Sequence, residues 1–122
     1  MPSPIPPPGS NFITLTKFLD MKQVYSDNSQ LILAPPYQNK EILVTSETFN
    51  VDVLTTLGAV TGIAGLRIYY GMDVDKKVHA MLVAVDKNGN DILPSDPAAK
   101  FAPADSGGGA IGEEAQRCPP TC

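Results

Sequence analysis

Residues 65–93 constrain the fold of this chain more than any other part of its sequence. They divide into three β-favouring runs joined by two turn-forming segments. The run from Val78 to Val85 is apolar at every position except His79, which is typical of a central strand covered on both faces. Asn88-Gly89 is a strong hairpin signal, because both residues accept the positive φ angles of a two-residue type I′ turn. The segment therefore predicts an antiparallel sheet.

Two helices are predicted before this sheet. Apolar residues recur at helical spacing from Leu15 to Tyr25, and Thr14 or Thr16 is the predicted N-cap. This first helix is predicted to end near Asn28. Between the helices, residues 30–34 favour β structure and predict at most an edge strand, because two prolines follow and cannot donate hydrogen bonds to a sheet.

The second helix is predicted to begin at Thr45 or Ser46 as N-cap, with Glu47 adding favourable negative charge to its first turn. Phe49, Val53 and Leu57 line one face of this helix, and Gly58 ends it.

The resulting fold class is α+β, with an antiparallel sheet of three to four strands, two helices packed on one face and extended Pro/Gly-rich termini. The chain has 122 residues, enough for one domain. Twelve prolines and ten glycines gather mainly near its ends. We therefore predict a Pro-rich arm at residues 1–10, a single α+β domain at 11–102 and an irregular Gly/Pro/Cys tail at 103–122.

Charge and hydropathy exclude several classes of function. The net charge is -4 and the cations form no cluster, so we predict no nucleic-acid partner. No apolar run approaches the roughly 18 residues of a membrane-spanning helix. The N-terminus shows neither the basic nor the apolar region of a signal peptide, so a cytoplasmic location is predicted.

Arg67 and Tyr69 form the first candidate binding site. Alternation along the strand places both side chains on the face opposite Leu66, Ile68 and Tyr70. Two interpretations of the arginine stand side by side. It pairs with a carboxylate at the rim of the sheet, or it binds an anion beside the tyrosine.

Cys118 and Cys122 form the second candidate site, with three alternatives. If the intervening Pro119-Pro120 is polyproline II, the two Cα atoms lie about 12 Å apart, beyond the roughly 7 Å limit for a disulfide. The cysteines are then exposed thiols. A turn or a cis proline allows a disulfide, and two chains together supply the four ligands of a metal site.

Two further motifs fail as functional sites. Asp86, Asn88 and Asn90 resemble a calcium loop, but its glycine stands at position four instead of six and position twelve is Pro97. His79 shares a strand face with apolar residues and is predicted to be a packed, neutral, structural imidazole. Apart from the open alternatives at the two cysteines, the sequence therefore predicts no catalytic residue, no metal site and no cofactor.

The C-terminal half resembles a group of small bacterial proteins, mainly of the Bacteroidota. Four segments carry the resemblance: Gly65–Gly71, Val78–Asp86, Asn88–Asp91 and Ile111–Cys122. The shared features are a Gly-Leu/Ile/Val-Arg-Ile/Val-Tyr-x-Gly strand, an Asn-Gly-Asn-Asp hairpin and a terminal Cys-Pro-Pro-x-Cys motif. The resemblance implies a prokaryotic source and one compact domain, and it implies no activity.

The function predicted from these features is a non-catalytic binding or assembly module. A protein partner or a second copy of the chain is expected, engaged through an edge strand and the extended termini. The alternative is a thiol-based redox or metal site at Cys118 and Cys122. An enzyme that uses Arg67, Tyr69 and His79 ranks last, because no acid–base partner is identified.

Overall fold

The structure is a computed structural model that describes residues 4–98 and 108–122. Within these residues the chain has the predicted α+β class, with two helices and two antiparallel sheets. The helices are α1 (Leu15–Asn28) and α2 (Val51–Gly58), with a 3₁₀ turn at Pro35–Tyr37. The strands are β1 (Ser46–Thr48), β2 (Gly65–Met72), β3 (Val78–Val85), β4 (Asp91–Ile92), β5 (Ile111–Gly112) and β6 (Gln116–Cys118).

β3 is the central strand of the larger sheet, as predicted. It pairs antiparallel with β2 along its whole length, and β4 and β5 pair with the second half of its other edge. Its last three residues, Val83–Val85, are buried. The described part of the Pro-rich arm covers one side of this region, since Ile5 packs beside Gly65 and Val85. The arm therefore lies on its own sheet.

The hairpin after β3 is present, but its predicted turn type is wrong. Gly89 has a φ of 83°, whereas Asn88 does not have a positive φ. The Asp86 amide donates to the Asn90 carbonyl at 2.9 Å, which closes a three-residue loop. This is the pattern of a type I turn followed by a left-handed glycine. The Asp86 carboxylate favours the wider loop because it accepts hydrogen bonds from the Asn88 and Asn90 amides.

α2 supplies the helix side of the core. Leu57 and Val60 pack with Ala84 of β3 and with Ala110, and partly buried apolar side chains surround this cluster: Val53, Ile63, Leu82 and Ile92. The Asn50 side chain caps the helix by accepting a hydrogen bond from the Asp52 amide.

The start of α2 was predicted wrongly, at Thr45 or Ser46. Ser46 is the first residue of β1, and Thr45 immediately precedes it. The strand forms because Ser46–Thr48 pairs with Gln116–Cys118 near the end of the chain. A pairing partner 70 residues away outweighs the local capping signal.

α1 begins at the predicted N-cap, Thr14, whose hydroxyl accepts a hydrogen bond from the Lys17 amide. None of its residues is buried. The Tyr25 hydroxyl ties it to the rest of the chain by donating to the Val44 carbonyl at 2.8 Å. Only α2 therefore places a helix face against the core of the sheet.

The loop after α1 differs from its prediction. Residues 30–34 form turns, not an edge strand. The Leu33 amide donates to the Gln30 carbonyl, and the Gln38 side chain caps the Leu33 carbonyl. Local hydrogen bonds thus replace the pairing that a strand requires.

The C-terminal segment also differs from the predicted irregular tail. β5 pairs with β3, and β6 pairs with β1, so the C-terminal segment contributes one strand to each sheet. The boundary predicted between residues 102 and 103 lies outside the described residues, as do the first three residues of the arm.

Close packing of α2 on β5 predicts opposite effects for two Gly→Ala changes. A Cβ at Gly112 would lie 2.7 Å from Val53 Cγ1, whereas a Cβ at Gly58 would meet nothing within 4 Å. We expect Gly112→Ala to lower the free energy of unfolding by about 1–3 kcal/mol. Gly58→Ala should raise it by about 0.5–1 kcal/mol. Urea unfolding of both variants tests this, and equal effects would contradict the packing described.

Candidate functional site

The small sheet β1–β6 docks against the first half of β3, where that strand has no neighbouring strand on one side among the described residues. The Val78 amide donates to the Ile42 carbonyl at 3.0 Å, and the Ala80 amide donates to Glu47 Oε2 at 2.8 Å. Arg117 donates from Nη2 to the Val78 carbonyl at 2.9 Å. Glu47 and Arg117 are cross-strand partners in the small sheet, so their side chains reach β3 together.

These contacts surround His79 with charged groups. Its Nε2 lies 2.7 Å from Asp73 Oδ2, and its Nδ1 lies 3.4 Å from Glu113 Oε1 and 3.8 Å from Glu47 Oε1. Arg117 Nε lies 3.8 Å from the same Glu47 oxygen. We call these five residues, Glu47, Asp73, His79, Glu113 and Arg117, the His79 cluster.

The His79 cluster is largely withdrawn from water. The side chains of Arg117, Glu47, His79 and Glu113 are 10%, 14%, 21% and 31% exposed. Three of their atoms are shielded and have no hydrogen-bond partner: Glu47 Oε1, Glu113 Oε1 and Arg117 Nε. Asp73 lies at the outer side, and its hydrogen bond with His79 lowers the pKa of its carboxyl below the ordinary value. Glu47, His79 and Glu113 are spaced so that they could hold a metal ion.

The surroundings of His79 differ from those predicted. The strand pattern indicated apolar packing, but the ring faces carboxylates because Glu47 and Glu113 arrive from β1 and from the residue after β5. The prediction that His79 is structural remains a prediction. Sequence reasoning missed Glu47, Glu113 and Arg117 as partners. The capping pattern placed Glu47 in a helix, and the five residues of the cluster have no common spacing in the sequence.

Arg67 and Tyr69 do lie together, and Asp91 joins them. Arg67 Nη1 contacts Asp91 Oδ1 at 2.6 Å and the Gly89 carbonyl at 3.0 Å. The Tyr69 hydroxyl donates to Asp91 Oδ2, and this bond raises the pKa of Tyr69 above its ordinary value. The arginine therefore pairs with a carboxylate, the first of its two interpretations. Its anion-binding role stays a prediction.

Cys118 and Cys122 are joined in a disulfide, with a Cα–Cα distance of 4.7 Å. The peptide bonds before Pro119 and before Pro120 are both cis. This arrangement is the alternative in which the chain turns within the Cys-Pro-Pro-Thr-Cys motif. The disulfide lies at the end of β6, directly after Arg117.

The loop that resembles a calcium site is held by internal hydrogen bonds. Asp86 Oδ1 accepts from the Asn88 amide at 2.9 Å and from the Asn90 amide at 3.0 Å. These bonds, that of Asn90 first, lower the pKa of Asp86 below its ordinary value of 3.8. The carboxylate is thus used to close the turn.

An exposed apolar row runs along β2. Leu66, Ile68, Tyr70 and Met72 alternate on one face and all count among the exposed large side chains of the chain. Their partners on β3 include Ala84 and Leu82, which belong to the core. Directly opposed residues of an antiparallel pair share one face. The face that carries the core therefore continues, uncovered by α2, onto the β2 apolar row.

Comparison with protein-family profiles, with curated proteins and with solved structures gave no match. In the described part of the chain, no helix is long and apolar enough to cross a membrane.

The hairpin bonds of Asp86 predict a pH dependence. Because its pKa is lower in the folded state than the unfolded value of 3.8, its contribution to stability is present above that value. The contribution is lost as pH falls through the lowered pKa. We expect Asp86→Asn to destabilise the chain at pH 7 and this difference from the unmodified chain to shrink in acid.

Urea unfolding at neutral and acidic pH measures this difference. The control is Asp20→Asn, which changes an exposed carboxylate on α1. A destabilisation by Asp86→Asn that is the same at both pH values would show that the carboxylate charge does not hold the turn.

Proposed function

We propose that this chain is a non-catalytic assembly module that forms a reversible homodimer through the edge of β2. The observation that carries the proposal is the β2 apolar row, which extends the core face to the border of the sheet. Tyr70, in this row, is 76% exposed. Such a surface on an edge strand is a template for pairing with another chain.

The strand β2 itself carries none of the residues that protect edge strands from pairing, and the Pro-rich arm lies beside its first half only, at residues 65–68. The strand is eight residues long and contains no proline or lysine. Its one charged residue, Arg67, points to the other face and pairs with Asp91. No described strand lies beyond β2, which stands at the end of the sheet order. Backbone pairing and apolar contact are therefore available at the second half of this edge, beyond the Pro-rich arm.

A second copy of the chain fits this edge. Two β2 strands related by a twofold axis pair antiparallel, as isologous interfaces require. The two apolar rows then lie on one face of a continuous sheet. Four side chains that each bury about 100 Å² give roughly 400 Å² per copy, about half of a standard interface of about 800 Å². The proposal is thus a weak dimer, not a permanent one.

The arms have a smaller part in this proposal than the sequence indicated. Ile5 packs on the chain's own sheet, and β5 and β6 pair within the chain. These segments complete the subunit. Self-association therefore rests on the edge strand.

We expect Tyr70→Lys and Ile68→Lys each to weaken the dimer by about tenfold or more, because each places a charged group in the apolar contact between the two copies. Sedimentation velocity over a concentration series gives the dimer dissociation constant. Leu19→Lys is the matched control, since it adds the same charge at an exposed apolar position of α1. Circular dichroism checks that all three variants keep their fold.

Two outcomes would contradict the proposal. One is a wild-type chain that stays monomeric across the whole series. The other is a dimer that Leu19→Lys dissociates and Tyr70→Lys does not, which would move the interface to α1.

The thiol-based alternative remains a second candidate, favoured by one observation. The Cys118–Cys122 disulfide lies beside the His79 cluster in sequence, because Cys118 follows Arg117. A titration of the oxidised chain with a glutathione buffer series tests the redox site, which requires the Cys118–Cys122 disulfide to open within the range of that buffer. The edge-strand dimer persists after reduction, so the sedimentation series repeated with reductant keeps the two candidates apart.

A further inference from the structure

The two nitrogens of His79 have different surroundings, and these determine where the ring proton lies. Asp73 Oδ2 is 2.7 Å from Nε2. The other oxygen, Asp73 Oδ1, accepts from the Asp75 amide at 2.8 Å and from the Lys77 amide at 3.0 Å. A carboxylate used in this way is an acceptor, so Nε2 carries the hydrogen and donates it.

In the neutral ring, the lone pair therefore lies on Nδ1. This atom faces Glu113 Oε1 at 3.4 Å and Glu47 Oε1 at 3.8 Å. Both oxygens are shielded from water and have no hydrogen-bond partner. Three electron-rich atoms that face one another out of water are unfavourable, unless something positive lies between them.

The charges around His79 also favour a positive group between these atoms. Three carboxylates, those of Glu47, Asp73 and Glu113, lie close to the ring, and Arg117 is the one guanidinium beside them. Two negative charges thus remain when His79 is neutral. A divalent cation balances them.

We propose that His79 Nδ1, Glu47 Oε1 and Glu113 Oε1 bind a divalent first-row transition-metal ion, with zinc as the probe. Each of the three residues offers one ligand atom, and these atoms all lie within 4.8 Å of one another. Bonds of about 2.0–2.2 Å to one ion require them to move closer, by rotation of the two glutamate side chains. The site is independent of the proposed dimer.

The donor set selects the class of ion. One imidazole with two carboxylates suits zinc, manganese or iron, whereas calcium and magnesium prefer oxygen ligands alone. Asp73 has the position of the carboxylate that orients a metal-binding histidine through its other nitrogen. Glu113 is the most exposed of the three proposed ligands, so water reaches the cluster most easily at this residue.

A proton on His79 Nδ1, in place of a metal ion, is the competing explanation for this arrangement of charges. An imidazolium at His79 would donate from Nδ1 to one glutamate, and Arg117 would compensate the other. This arrangement needs no metal. The experiment must therefore distinguish a bound ion from a bound proton.

Isothermal titration of Zn²⁺ into the oxidised full chain measures the affinity of the site at neutral pH. We expect one ion per chain, and a loss of affinity of about tenfold or more in His79→Gln and in Glu113→Gln. Glu114→Gln is the matched control, because it removes the adjacent but exposed carboxylate and should change the affinity less than twofold. Zinc should raise the melting temperature of the wild type and the control only.

A second measurement needs no variant. His79 is the single histidine of the chain, so its ring nitrogen signals in an NMR spectrum are unambiguous. Zinc should shift the Nδ1 signal selectively. The proposal is overturned if zinc leaves this signal unchanged while acid shifts it, or if His79→Gln and Glu113→Gln bind zinc as tightly as the wild type.

Discussion

The hydrogen bonds along the first half of β3 hold the two sheets of this chain together. A strand that lacks a neighbour leaves its amide and carbonyl groups to be satisfied by other means, and buried groups left unpaired are costly. Here Ile42, Glu47 and Arg117 supply the partners. The small sheet therefore serves as a substitute for a missing strand segment, and its docking brings charged side chains to His79.

This constraint also explains why the C-terminal segment is ordered into strands. Arg117 reaches β3 only if β6 lies beside β1, and β6 follows β5 after three residues. β5 in turn lies against β3 and under α2, where Gly112 leaves room for Val53. Core packing on one side and the docking of the small sheet on the other thus fix the same stretch of chain.

The parts of the fold that were predictable are those whose signals are local. The alternation in β2, the apolar run of β3, the glycine of the hairpin and the cap at Thr14 act over a few residues, and the structure contains all of them. β1 and β6 were not predictable in this way, because each has three residues and its strand identity depends on a partner far along the chain. The same applies to Arg67, where the sequence indicated a carboxylate partner but could not identify Asp91.

The two candidate sites also differ in whether local or long-range signals determine them. The β2 apolar row follows from strand alternation, although its exposure depends on how far α2 extends over the sheet. The His79 cluster depends entirely on long-range pairing. Glu47 is positioned by the pairing of β1 with β6, and Glu113 by the pairing of β5 with β3.

The two sites lie on opposite faces of the larger sheet. The β2 apolar row is on the face of Ala84, whereas His79 is opposed to Gly71 on the other face. Because glycine has no side chain, β2 does not cover the imidazole from that side. A second copy paired at the edge of β2 therefore extends the sheet and leaves the His79 cluster accessible. Binding at one site and association at the other are thus compatible within a single assembly, and neither requires the other.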